Sequence, residues 1–379
     1  MLKRISVHNY NCFVAFELEL PRLGVLVGSN GSGKTSLWEV LAGLQDVIIR
    51  SRDVTTAFPT RTLTRWRKDD PVQRFGLDVE VDNESYRYEL EIVHNTERRL
   101  ASIRRERLES GGKVLYENLD GEVHLHGDDA SDEPRTSFPF NRKRSFLPDM
   151  ERRHDNRRTI AFREAIARMW LLVPAPQRLE PTTVNEAYWL ERDGTNFTSW
   201  FRGMNLERRG LLDDLFSALN SSMPGLQDIT FERMSSEVRE VMLRFRAQGA
   251  EYKLSIRELS DGQRTLVLLY GFLLGALDQA ALTVFDEPEM GLSPHEMQPW
   301  LARVRKTLDD HGGQAIMISH HPLVIDYIAP ASTIRFRRPN GGPTVAEEVT
   351  LKTTGGLKVS EWVSLPWVYE DEYEEEPAL

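Results

Sequence analysis

Nine consecutive residues, Gly28-Ser-Asn-Gly-Ser-Gly-Lys-Thr-Ser36, hold two glycines, a lysine and a hydroxyl at the spacing of a phosphate-cradling P-loop. Glycines let the backbone curl so that its N–H groups converge on phosphate oxygens, and a following helix adds the positive end of its dipole. Lys34 would then reach the β- and γ-phosphates, and the Thr35 hydroxyl would ligate Mg²⁺. Asn30, Gly31, Ser32, Gly33 and Ser36 complete the expected cradle. The flanks suit the motif: an apolar strand at 24–27 precedes it, and Leu37, Val40, Leu41 and Leu44 mark one face of a helix after it. The chain is expected to bind a nucleoside triphosphate.

Three later stretches carry compatible chemistry. Leu259-Ser-Asp-Gly-Gln-Arg264 opens an apolar helix, so Ser260 and the Gly262 backbone are placed to donate to a phosphate, although the same residues read alone make an N-cap and its turn. The apolar run 281–285 ends in Asp286-Glu287, where one carboxylate can hold Mg²⁺ and the next can polarise an attacking water. A shaped loop, Pro288-Glu-Met-Gly-Leu-Ser293, follows it. Another buried-strand pattern, 315–319, ends in His320-His321. His320, first after the strand, is the better candidate to contact the γ-phosphate side.

These groups need elements to position them. Residues 2–20 read as two strands around an Asn9-Tyr-Asn11 turn. Alternation at Phe75, Leu77, Val79 and Val81, and again at Tyr86, Tyr88, Leu90 and Ile92, predicts a hairpin. Strand-like pieces near 100–108, 113–117 and 122–126 extend it into an antiparallel sheet. Residues 135–158 read as a basic loop, 159–172 as one helix and 197–219 as another helical region. Strands are expected again at 229–233, 238–246 and 252–256. No heptad tract and no internal repeat is present.

Composition narrows the class. A 379-residue chain with 40% hydrophobic residues and eight tryptophans sustains a folded core. Its net charge of −10 argues against a generally basic surface, and six of the acids lie in the last ten positions, leaving about −4 for the remainder. The single cysteine, Cys12, excludes an intramolecular disulfide and suits a reducing cytoplasm. The longest apolar run, 266–277, is too short for a bilayer, and no secretory signal opens the chain. A soluble cytoplasmic protein with no membrane partner is expected.

Taken together, residues 28–36, 259–264, 285–287 and 319–320 resemble the ABC-type ATPase heads of the SMC, RecF and OLD group. Closest are the stand-alone ATPases of the AAA-21/AAA-15 kind. The opening strand, the Asp-Gly-Thr-Asn piece at 193–196 and the run 287–294 are similar as well, so the resemblance covers essentially the whole chain. It implies an α/β fold: an ABC-ATPase head, a P-loop NTPase core with an antiparallel lid sheet, plus a helical lobe and no coiled-coil arm. The core would take 1–60 and 225–365, the lid 71–130, a basic loop and helical lobe 131–224, and an acidic tail 366–379. It further implies ATP and Mg²⁺ as cofactors, Thr35 and Asp286 at the metal, Glu287 as general base and His320 as switch histidine. Ser260, Gly262 and Gln263 would bind the γ-phosphate of a second protomer's ATP. Asp261 stands where transporter signatures have glycine, and the stand-alone group more often has threonine at the Gln263 position. Gln45 and Gln73 are both candidates for the Q-loop glutamine, with neither preferred.

The expected output is an ATP-dependent homodimer or larger homo-oligomer whose hydrolytic cycle senses or clamps nucleic acid, in phage defence or DNA repair. DNA or RNA would lie on 142–158, aided by Arg98, Arg99, Arg104, Arg105 and Arg107. The alternative is a regulatory ATPase acting on a protein effector such as a nuclease or toxin, with the acidic tail as a docking peptide.

Overall fold

The computed structural model describes residues 1–66, 70–129 and 133–365, which pack as two compact units. The expected acidic tail at 366–379 lies outside them. The first unit takes residues 1–169 with 329 onward, and the second takes 170–328.

The first unit is dominated by an eight-stranded sheet. Its order runs Phe13–Glu19, Leu2–Tyr10, Val72–Val81, Glu84–Asn95, Leu100–Ser110, Lys113–Leu119, Glu122–Leu125, Thr136–Pro139. Every pairing along it is antiparallel. The opening hairpin is therefore continuous with the lid rather than separate from it, because Leu2–Tyr10 pairs with Val72–Val81 in register Ile5 to Leu77. Alternation explains the sheet: Phe75, Leu77, Val79 and Tyr86, Tyr88, Leu90, Ile92 are all buried while their neighbours face outward. Beside it, Leu23–Gly28 pairs in parallel with Thr333–Arg337, which pairs antiparallel with Val345–Glu348.

The P-loop helix, Lys34–Ile49, is packed from residue 40 to residue 48, where every side chain is buried. Gly43 admits the Phe58 ring, which a Cβ there would meet at 2.7 Å, and Phe58 in turn stacks on Phe75 at 4.3 Å. The expected helix 159–172 is shorter. It spans Arg157–Ala167, and Met169–Leu172 forms a strand instead. Residues 135–158 are not wholly loop, since Thr136–Pro139 forms the edge strand of the sheet.

In the second unit, Leu282–Asp286 and Ala315–Ile318 pair in parallel, Asp286 opposite Ile318. Phe285 packs edge-on against Phe272 (5.8 Å) and Trp300 (5.1 Å), both fully buried. Those aromatics hold the strand end that carries Asp286, at about 3 kcal/mol for each ring buried. The helical region 197–219 is two helices, Phe197–Glu207 and Leu211–Leu219, separated at Gly210. Strands Leu226–Arg233, Arg239–Ala247 and Ala250–Ser255 form an antiparallel meander. The longest helix among the described residues, Pro294–His311, has 18 residues, and none is long and apolar enough to cross a membrane.

Candidate functional site

In the first unit the loop 28–33 has the backbone that a phosphate cradle requires. Gly28 and Gly33 adopt φ +151° and +111°. Each is also sterically confined: a Cβ on Gly28 would lie 2.2 Å from the Phe336 carbonyl oxygen, and one on Gly33 2.9 Å from both Cys12 Sγ and Thr344 Oγ1. Glycine is demanded twice over. No side chain caps the helix at Gly33, which leaves the positive end of its dipole to an anion. Lys34 is only 6% exposed, and its Nζ donates to the carbonyls of Gly28 (2.8 Å) and Ser29 (3.0 Å) and to Ser32 Oγ (3.4 Å). A buried ammonium is tolerable only with such acceptors, and it sits within the loop that phosphates would enter. Asn30, Gly31 and Thr35 are exposed, Ser36 is half-buried and Ser32 is buried.

Residues far along the chain support this loop. Thr344 donates its hydroxyl to the Ser32 carbonyl at 2.7 Å. Arg338 donates to the carbonyls of Gly341, Gly342 and Gly31 and lies 5.3 Å from the centre of the Trp66 ring. Trp66, Arg338, Arg61 and Arg65 line a cavity of about 570 Å³ together with Gly31 and Ser36 of the loop. The half-exposed indole is the surface there on which a flat ring can stack.

The second unit holds the remaining candidates. Ser260 and Gln263 cap each other: Gln263 N donates to Ser260 Oγ (3.2 Å), and Ser260 N donates to Gln263 Oε1 (3.0 Å). Both side chains are thus engaged in holding the start of helix Asp261–Gly275. Asp261 accepts from Gln177 Nε2 at 2.8 Å and Arg264 at 3.4 Å. Gly262 has no room for a side chain, because a Cβ would lie 2.5 Å from the Gly291 carbonyl oxygen. The loop 287–293 therefore packs directly on helix Asp261–Gly275, where Thr265 Oγ1 also reaches the Met290 carbonyl at 3.4 Å.

Asp286 ends its strand half-buried. Glu287 then turns with φ +48°, a left-handed conformation that costs a non-glycine residue about 1 kcal/mol. Its N–H donates to the Ile318 carbonyl at 2.9 Å, which ties the ends of the two parallel strands. His321 Nδ1 accepts from Leu323 N at 3.1 Å and so serves the next helix start, whereas His320 is exposed.

Both Q-loop candidates are consumed structurally. Gln45 Nε2 donates to the Ile166 and Met169 carbonyls at 3.2 and 2.6 Å. Gln73 bonds the Asn9 carbonyl, Thr62 and His94 inside the sheet. The arginine-rich stretches are largely paired: Arg104 with Glu91, Arg105 with Glu117, Arg107 with Glu109, Arg142 with Asp120, Arg152 with Glu164, and Arg158 with Glu84. Among the described residues, Arg98, Arg99, Lys143 and Arg153 have no carboxylate partner. Trp66, Arg338 and Thr344 escaped notice in the sequence because their partners are set by the fold, whereas Glu289 and Ser319 lay inside quoted motifs and only their bond to each other was hidden.

The family model described as "AAA domain, putative AbiEii toxin, Type IV TA system", AAA_21, matches residues 23–326. A search of curated proteins gave no match. Among solved structures, the chain is similar to an SMC head bound to the C-terminal winged-helix domain of ScpA, with TM-score 0.56 and 11% identity over 93% of this chain and 98% of that one. It is also similar to an SMC head with an extended coiled coil bound to the C-terminal domain of ScpA from Pyrococcus furiosus. There the TM-score is 0.55 and the identity 10%, over 96% and 99% of the two chains.

Proposed function

From the premise that this chain belongs to the AAA_21 family and has the fold of ABC-type heads, we propose that it hydrolyses ATP with Mg²⁺ as an ATP-dependent homodimer controlling a protein effector. The observation that carries the reading is Lys34, a buried ammonium held on loop carbonyls at the start of a helix that no side chain caps. Phosphate oxygens would replace those carbonyls as its acceptors, with Thr35 and Asp286 holding Mg²⁺. When bound, the metal supplies charge neutralisation at the β- and γ-phosphates. Glu287 orients and deprotonates the attacking water, and His320 contacts the γ-phosphate. Ser260, Gly262 and Gln263 meet the ATP of a second protomer. For the two side chains this means leaving their mutual cap.

Two observations favour a protein effector over nucleic acid. Most arginines of the basic stretches already face carboxylates, which leaves little net field for a phosphate backbone. The two similar SMC heads each carry a domain of a partner protein. The family's printed description names a toxin and a toxin–antitoxin system, which suits an effector of that class better than repair. A nucleic-acid clamp is the second reading, resting on Lys143, Arg153, Arg98 and Arg99.

The test is the solution mass of Glu287→Gln by light scattering, with Mg-ATP and with or without short duplex DNA. Doubling with ATP alone is expected. A mass indifferent to ATP would defeat the dimer, and retention of duplex by the ATP-bound form would move the clamp into first place.

A further inference from the structure

The loop after the catalytic strand contains a second glutamate that the hydrolytic reading leaves without a task. Glu289 is largely buried, and burial, the largest influence on it, pushes its carboxyl above the usual carboxylate range. Its Oε1 accepts from Ser319 Oγ at 2.5 Å, while its Oε2 is buried with no hydrogen-bond partner in the structure. An orphaned carboxyl oxygen costs about 1–3 kcal/mol. A loop that only needed to be stable would place an apolar residue there, so a carboxyl at this position costs stability and calls for an explanation.

What Glu289 holds supplies that explanation. Ser319 is fully buried, and its hydroxyl, while donating to Glu289, accepts from His321 N at 3.0 Å. His321 is anchored on its far side by the bond from Leu323 N to Nδ1. His320 thus stands between two fixed neighbours at the end of strand Ala315–Ile318. On the facing strand, Glu287 N reaches the Ile318 carbonyl, and the loop that follows is closed on itself by Met290 N to Glu287 O (3.2 Å) and Leu292 N to Glu289 O (2.9 Å). A backbone link through Glu287 and a side-chain link through Glu289 and Ser319 therefore join the ends of the strands.

We propose that Glu289 is a positioning residue for hydrolysis, which through Ser319 holds the turn bearing His320 in register with the strand end bearing Glu287. The inference rests on the hydrolytic reading above. It predicts a defect in turnover and not in binding, because Glu289 and Ser319 bond each other and neither bonds the Ser260–Gln263 cap.

The experiment compares steady-state Mg-ATP hydrolysis by the full chain with Glu289→Ala, Ser319→Ala, the double variant and Glu289→Gln. Each alanine variant should lose about 10- to 100-fold in kcat with KM unchanged, the cost of a misplaced catalytic group. The double variant should be no worse than either single one, since one link is cut in each case. Glu289→Gln should recover most of the activity, because its amide oxygen still accepts from Ser319. Single-variant kcat within twofold of wild type, losses that multiply, or a loss that follows KM would each overturn the inference. Should Glu289→Ala fail to fold, Ser319→Ala and Glu289→Gln decide alone. Wild-type turnover and its loss in Glu287→Gln are measured alongside. A wild-type protein that does not hydrolyse ATP defeats the hydrolytic reading, whereas active wild type matched by Glu289→Ala defeats only this proposal.

Discussion

Single side chains in this protein show how burial sets chemistry. His94 lies 4% exposed in the eight-stranded sheet, with Nε2 3.0 Å from Gln73 Oε1 and Nδ1 3.4 Å from Thr60 Oγ1. Burial lowers its pKa from 6.5 to about 4. The unfolded chain therefore takes up a proton at this residue before the folded chain does. Stability is complete above about pH 6.5 and is lost as the pH falls towards 4. By pH 5 the loss from this one residue is about 2 kcal/mol. Urea titrations at pH 7.5 and 5.0 should show the wild-type stability falling by that much more than the stability of His94→Gln. Equal falls in the two proteins would mean that His94 does not set the acid limb.

At the scale of elements, the lid sheet is organised around a carboxyl that no alternation of apolar residues reveals. Glu106 is wholly buried and accepts from Tyr88 OH (2.8 Å), Tyr116 OH (2.7 Å) and Ser145 Oγ (2.6 Å). Tyr88 and Tyr116 lie on the strands either side of its own, and Ser145 lies in the segment after the edge strand Thr136–Pro139. Glu106→Ala would strand three hydroxyls at once and should cost about 3 kcal/mol or more, read as a lower urea midpoint at unchanged m. A shift below about 1 kcal/mol would show that the hydroxyls find other acceptors. Much of the sheet was legible in the sequence, because Phe75 to Val81 and Tyr86 to Ile92 alternate cleanly and turn at Asp82 and Asn83, both of which adopt φ above +45°. The strand, turn and helix around 28–36 and the strand ending at Asp286 were legible for the same reason, a local apolar pattern that stops at glycines or acids. Met169–Leu172 was not, since a four-residue apolar strand following a helix continues the helix's own hydrophobicity. Nor were Glu289 and Thr344, whose meaning depends on Ser319 and Ser32, 30 and 312 positions away.

For the whole molecule, charge pairing limits what the surface can hold. With Lys143 and Arg153 the members of the 142–158 stretch that lack a carboxylate partner among the described residues, duplex binding through it should release few counterions. The slope of log affinity against log salt should be about −2 or shallower between 50 and 200 mM, following the rule of about 0.9 per neutralised phosphate. Replacing Arg142, Lys143, Arg144, Arg152 and Arg153 together by alanine should then change duplex retention little beyond the loss of that slope. A steep wild-type slope abolished in the variant would show that the ion pairs open to admit phosphate. The parallel pairing of Leu23–Gly28 with Thr333–Arg337, and the bond from Thr344 to Ser32, also bear on how the protein is made. A ribosome delivers the glycine-rich loop some 300 residues before its supporting strand. At about 5–20 residues per second, the nascent loop waits on the order of 15–60 seconds for its neighbours. The emerging chain thus carries its glycine-rich loop long before it has the framework that holds it, and the loop takes its final shape only once that strand and Thr344 have emerged.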